Sequence, residues 1–343
     1  MYRGFFADAP EHYVIKDIFD LDPQSVPSTL LATCSFPCID LSLAGKMGGM
    51  GGHHSSAFWG FIHVLESQRK QAPPLVLVEN VPGWLHSNEG RDFRVTIQSL
   101  NDLGYQCDAF VLNAMRFAPQ SRPRVFLVAC RAQPQPGSAA QILSRPSSLL
   151  PNRLRKSILC NLDLGWFCSQ MPAPPPLFTF GLSEIVEMLD DSDPRWWTPD
   201  ETQRHLDMMK EIHRARIEYL RQSDTISYRT FYRRIRENRQ RAEVRDDNLA
   251  GCLRTAVGGS GKQFLIQAGK GIIRMRTMTP REYARLQGVP DHYPIHADGV
   301  QALTGFGDAV CVPVITWIAQ NVLSPLTSEF AFSKSSRIEF DPA

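Results

Sequence analysis

Short apolar runs rich in Val, Leu, Ile and Phe recur through the first 130 residues, at 12–18, 29–36, 75–80, 107–113 and 124–130. Runs of this length suit strands buried on both faces of a largely parallel sheet. The stretches between them, notably 56–70 and 91–103, read as helices. This is an α/β pattern, in which chemistry collects where strands end in loops. From 131 to 176 the texture changes: Pro, Ser and Gln are frequent, and Pro172, Pro174, Pro175 and Pro176 cluster. That predicts a linker and an irregular entry into a second domain. A polar helix is expected over 200–222. Residues 274–288 predict a well-delimited helix, with Thr279 as N-cap, Pro280 at the first turn, Glu282 closing a capping box and Gly288 ending it. A second apolar helix is expected over 308–323, followed by a loose polar tail.

The composition changes this picture little. With 343 residues, 43% of them hydrophobic and 21% charged, the chain can build one large domain and a smaller one. A net charge of +2 excludes a uniformly polybasic protein but leaves nucleic-acid binding open, since binding depends on where the charge sits. Seven arginines fall within the eighteen positions 228–245, which suits either a solvated helix face or a phosphate-contacting surface. The eight cysteines show no C-x-x-C pair, so neither a zinc site nor a disulfide framework follows, and a reducing cytoplasm is the plainer setting. No unbroken apolar run of membrane-spanning length and no secretory h-region occur.

The polar motifs sit at the ends of the apolar runs. Ser35-Phe36-Pro37-Cys38-Ile39-Asp40-Leu41-Ser42 leaves the second run, and Glu79-Asn80-Val81-Pro82 ends the third. Pro119-Gln120-Ser121-Arg122-Pro123-Arg124 enters the fifth. Far downstream come Thr279–Gly288 and Gly305-Phe306-Gly307-Asp308-Ala309-Val310-Cys311. A lone cysteine is most often a small buried hydrophobe, the reading that suits Cys34 within its strand. Cys38 follows a proline and leaves for a polar loop, where a thiol is accessible. Lys46–Ser56 holds four glycines but lacks the Gly-Lys-Ser/Thr ending of a P-loop, and His53 and His54 have no further ligands for a metal.

Five motifs in this order make the chain resemble the DNA cytosine-5 methyltransferases over nearly its whole length. The resemblance implies a Rossmann-like, S-adenosylmethionine-dependent methyltransferase sheet with a smaller target-recognition domain. It assigns Cys38 as the nucleophile that adds to carbon 6 of a flipped-out cytosine. Glu79 would protonate or hydrogen-bond nitrogen 3 from a dry pocket, with Asn80 fixing the loop. Arg122 and Arg124 would bind the base oxygen and nearby phosphates with fork-shaped donors. The glycine-rich Lys46–Ser56 would be the hinged loop that closes over DNA. The methyl donor would contact Asp17, Ile18, Pro37, Asp308, Ala309 and Val310. Double-stranded DNA would meet Ser42, Gln120, Arg254, Thr255, Gly258, Gly259 and Lys262.

The chain departs from that family at its start, where no Phe-x-Gly-x-Gly turn and no acidic residue after a second strand are found. The expectation is an N-terminally incomplete catalytic core over 1–134 and a target-recognition domain over 135–270. C-terminal helices over 271–325 would return to the core, with a loose tail over 326–343. On that reading the complete enzyme is a monomer of a restriction–modification system, and a complementing polypeptide could supply the missing strands. An inactive DNA-binding fragment, half of a split enzyme and a transfer-RNA methyltransferase are the alternatives, the last disfavoured by the long insertion over 135–250.

Overall fold

In a computed structural model of the chain, residues 5–6, 13–36, 57–131, 138–255, 261–295 and 299–328 are described. Four of the five apolar runs form strands: β1 (Leu31–Cys34), β2 (Leu75–Asn80), β3 (Gln106–Asn113) and β4 (Pro123–Cys130). They make one sheet in the order β1-β2-β4-β3. All six residues of β2 are buried, as expected of a strand covered on both faces. β1 runs parallel to β2, with Cys34 opposite Val78. β4 runs antiparallel to β2, so the sheet is less parallel than the apolar runs alone implied.

The antiparallel β4 brings the entry of one strand to the exit of another. The C-terminal ends of β1 and β2 share one end of the sheet, and the start of β4 joins them there, with Asn80 opposite Val125. Helices α1 (Ala57–Gln68) and α2 (Arg91–Asp102) pack against the sheet through Phe58, Phe61, Leu65, Phe93, Ile97 and Leu100.

The remaining run, 12–18, is not a strand where it is described. In its described part Val14 and Ile15 are 64% and 81% exposed, and Ile18–Asp20 is a 3-10 turn. The Asp17 carboxylate accepts from Phe19 N, a local bond that competes with strand pairing. The stretch expected as a linker holds α3 (Ser138–Leu143) and α4 (Asn152–Leu159), and it adds Leu150, Leu154, Ile158 and Trp166 to the sheet's core.

The chain divides into two compact units. One comprises 10–112, 123–174 and 317–343 and carries the β1–β4 sheet; the other comprises 1–9, 113–122 and 175–316. The second unit holds α5 (Pro199–Asp207), α6 (Glu211–Arg221) and an antiparallel sheet in the order β6-β5-β7-β8. Its strands are β5 (Ser227–Arg236), β6 (Arg239–Val244), β7 (Gln263–Gly269) and β8 (Ile272–Thr277). The polar helix expected over 200–222 is thus two helices. The break falls where Met208 O accepts from Ala242 N of β6. The arginine-rich run is a hairpin rather than a helix, turned at Glu237 and Asn238, both at positive φ.

Thr279 caps α7 (Pro280–Leu286) through the reciprocal box with Glu282, and Gly288 follows at φ +73°. The apolar helix expected over 308–323 is instead the end of α8 (Gly299–Asp308), a break, α9 (Val312–Ile318) and a π turn over Ala319–Leu323. Pro313 has no N–H to continue the ladder, and Val312 N donates to Gln287 O. By length and mean hydropathy alone, Gly299–Ser328 could cross a membrane; Ala302, Phe306, Val314, Ile318 and Val322 are buried in the protein.

Candidate active site

The end of the first sheet where β1, β2 and β4 meet carries Ser35-Phe36, Glu79-Asn80 and Arg124, parts of three of the sequence motifs. Glu79 is the fifth residue of β2, and Arg124 is the second residue of β4. The antiparallel register brings them together. Arg124 Nε lies 2.8 Å from a Glu79 carboxylate oxygen, and both side chains are largely buried. The neighbouring Asn80 accepts from Val81 N through its side-chain oxygen and donates to the Phe36 carbonyl at 3.4 Å. It therefore ties the end of β2 to the last described residue after β1. Phe36 is buried against Phe58 and Trp84. Cys38, Pro37 and Ser42 lie outside the described residues, as do the glycine-rich loop and Gly258 and Gly259.

Cys34, by contrast, stands in β1 next to the core, and burial pushes its thiol up to about 12, only partly offset by the Phe36 backbone. A thiol that stays protonated near neutral pH is a poor nucleophile, which sets Cys34 aside as the attacking group.

In the other unit the remaining residues of the Pro119–Arg124 motif serve the protein itself. Arg122 is 4% exposed; its guanidinium donates to Leu253 O at 2.8 Å, Gly307 O at 3.1 Å and Ala309 O at 2.7 Å. Gln120 is fully buried, donating to Leu286 O and accepting from Leu253 N. The DNA contact expected of Gln120 has no surface to work through, because its amide is spent inside the fold. Both residues instead clamp the chain around 250–253 and 307–309. A Cβ on Gly307 would come within 2.3 Å of Arg254 O, so that approach requires glycine.

The residues expected at the methyl donor are split between the units. Asp17, exposed, and Ile18, which packs beside Gly60, belong to the first. Asp308, Ala309 and Val310 end α8 in the second, and desolvation raises the Asp308 carboxyl against the pull of Arg122. Arg254 stands 6.0 Å over the Tyr232 ring, Thr255 is exposed and Lys262 is half-buried.

Sequence reasoning missed a buried ion pair, Arg276 with Glu282, at 2.5 Å and with neither side chain exposed. The capping box signalled Glu282, but nothing local signalled that Arg276, on an apolar strand, points inward.

A sheet of this order, with buried polar motifs at one end and a second unit of antiparallel strands, is a Rossmann-like methyltransferase architecture. A family model for C-5 cytosine-specific DNA methylases matches residues 3–324, and the chain belongs to that family. The Type II methyltransferase M.HhaI of Haemophilus parahaemolyticus is 24% identical over 95% of this chain and 84% of that protein. M1.ScrFI of Lactococcus lactis subsp. cremoris, also a Type II methyltransferase, is 26% identical over 95% of this chain and 69% of that protein. The fold is shared with the crystal structure of S. pombe Dnmt2 methyltransferase, with a TM-score of 0.54 at 16% identity, covering 91% of this chain and 83% of that one. It is shared too with Entamoeba histolytica EhMeth, with a TM-score of 0.56 at 12% identity, covering 92% and 83%.

Proposed function

We propose that this DNA cytosine-5 methyltransferase methylates carbon 5 of a cytosine turned out of duplex DNA, through a covalent adduct at Cys38, and that it serves a restriction–modification system. The main support is the placement of Glu79, Asn80 and Arg124 at the sheet end where Phe36 leads into Pro37 and Cys38. Carbon 5 of cytosine is a weak nucleophile. Addition of the Cys38 thiolate to carbon 6 makes the ring an enamine, and the charge pushed onto nitrogen 3 is met by the Glu79 carboxyl. Arg124, already paired with Glu79, orients that carboxyl toward the base. Arg122 and Gln120 act as positioning residues, since their polar atoms are engaged inside the fold.

S-adenosylmethionine supplies an electrophilic methyl group on its sulfonium. Asp17, an exposed carboxylate held by Phe19 N, suits an adenine amine, and the apolar Ile18 beside it suits the ring face. Pro37, Asp308, Ala309 and Val310 are assigned to the donor by the family resemblance. Sequence choice is assigned to the second unit, with Arg254, Thr255, Gly258, Gly259 and Lys262 near the bases and backbone. Ser42 would meet DNA from the Cys38 loop.

The test is a duplex carrying 5-fluorocytosine at the target, incubated with enzyme and methyl donor. The wild type is expected to form a denaturation-resistant adduct and Cys38→Ser none, while duplex affinity changes less than about threefold, since the lost thiol is a minor contact beside the phosphates. An adduct that survives Cys38→Ser sinks the assignment.

A further inference from the structure

A cleft of about 550 Å³ opens in the sheet-bearing unit, lined by the 3-10 segment Pro82–Gly90, the first turn of α2 and one face of α4. None of its lining residues is assigned above to methyl transfer or target recognition. The α4 wall is Arg153, Lys156, Ser157 and Cys160, a single helix face by their three- and four-residue spacing. Leu154 and Ile158 on the other face are buried in the core, so the polar face is fixed in place. The Ser157 hydroxyl donates to Leu85 O at 3.2 Å and joins this wall to the facing one.

The cleft's charges are unbalanced. On the α2 side Arg91 pairs with Glu89 at 3.2 Å and Arg94 with Asp163 at 2.5 Å. Arg153 and Lys156 are exposed and form no ion pair among the described residues. They stand one turn apart in a helix with no acid in its first turn and no side-chain cap. Like charges at that spacing repel, and Arg153, in the first turn, opposes the helix dipole. An anion seated between the walls reverses both signs. The rim facing them is built at a conformational cost, with Asn88 and Glu89 both at positive φ. The volume is that of a small-ligand site rather than of a single inorganic ion.

We propose that this cleft binds a multiply charged phosphate compound of nucleoside-polyphosphate size, with Arg153 and Lys156 as its principal cations. Cys160, exposed at the end of the same face, reports occupancy without reference to methyl transfer.

The experiment measures alkylation of Cys160 by peptide-resolved mass spectrometry, with inorganic triphosphate as the probe. In the wild type, triphosphate at ten times its dissociation constant is expected to slow alkylation about tenfold, in step with the unoccupied fraction. Arg153→Glu with Lys156→Glu is expected to abolish the protection, and the milder Arg153→Gln with Lys156→Gln to weaken it, which keeps the test open should charge reversal disturb folding. Absence of protection in the wild type overturns the proposal, and so does equal protection in the charge-reversed variant. Protection by duplex DNA at equal phosphate but not by triphosphate also overturns it and assigns the wall to a nucleic-acid backbone. Because the readout is thiol labelling, none of these outcomes bears on the Cys38 assignment.

Discussion

At the scale of single residues, the environment of Cys34 removes it as a nucleophile. Cys34 and Cys38 are four positions apart, yet Cys34 belongs to β1 and burial lifts its thiol to about 12. The group is protonated below that value and ionises only as the pH rises through it. At pH 8 its thiolate fraction is therefore about one in ten thousand. Iodoacetamide at pH 8 is expected to label the exposed Cys160 while leaving Cys34 unmodified, and Cys34 labelling is expected to appear only as the pH approaches 12 or the chain unfolds. Peptide mapping checks this; rapid labelling of Cys34 in the folded protein at pH 8 would contradict the burial argument. Arg122 and Gln120 carry the complementary lesson. Their residue types suit base and phosphate contacts, but their hydrogen bonds to Leu253, Gly307, Ala309 and Leu286 end on the protein.

At the scale of elements, α7 and the β5–β6 hairpin show two ways of placing charge. The α7 capping box holds Glu282 where Arg276 of β8 reaches it, and neither side chain is exposed. Removing one partner leaves the other charge buried without compensation. Arg276→Met is expected to cost roughly 3–5 kcal/mol, and adding Glu282→Gln should recover most of it, since glutamine can still close the capping box. Urea unfolding midpoints distinguish the two; a stability loss that the second change deepens would refute the pairing.

In the hairpin, the register sets Arg234 opposite Arg241 and Arg236 opposite Arg239. By strand alternation all four share one face, where Glu243 pairs with Arg234 and Arg236. β7 pairs with β5 only as far as Tyr232, so the arginine-bearing end runs on as a two-stranded ribbon. Like charges set directly opposite each other are unfavourable alone and suit a phosphate backbone. Arg239→Ser with Arg241→Ser is expected to lower the salt dependence of duplex binding, the slope of log K against log salt falling by up to about 1.8. The loss should be similar on cognate and unrelated duplexes. An unchanged slope would return the hairpin to a merely solvated surface.

At the scale of the whole molecule, β1 is the edge of its sheet among the described residues, and none of its four residues is fully buried. Leu30, Val14, Ile15 and Phe19 are at least half exposed. A partly apolar edge with no partner strand among the described residues invites one. A separate polypeptide carrying a strand–turn with the Phe-x-Gly-x-Gly pattern is expected to co-purify with this chain and to raise its affinity for S-adenosylmethionine at least about tenfold, a gain of about 1.4 kcal/mol. Calorimetry on the chain alone and with that polypeptide is the measurement. A donor affinity unchanged by that polypeptide would refute the pairing.

The features legible in the order of residues were local ones. Continuous apolar runs marked β2, β3 and β4, because a strand buried on both faces needs no alternation. Thr279, Pro280, Glu282 and Gly288 marked the ends of α7, because caps are satisfied within a few residues. The motifs announced a family through residue types that its chemistry requires. Folding in three dimensions settled whatever depends on partners distant in the chain. It set β4 antiparallel beside β2, so that Arg124 meets Glu79, and it buried Arg276 on Glu282. It also turned the arginine run into a hairpin and left 12–18 without a strand partner among the described residues. Register and burial are properties of pairs, and a pair separated by tens of residues leaves no periodic trace in either segment.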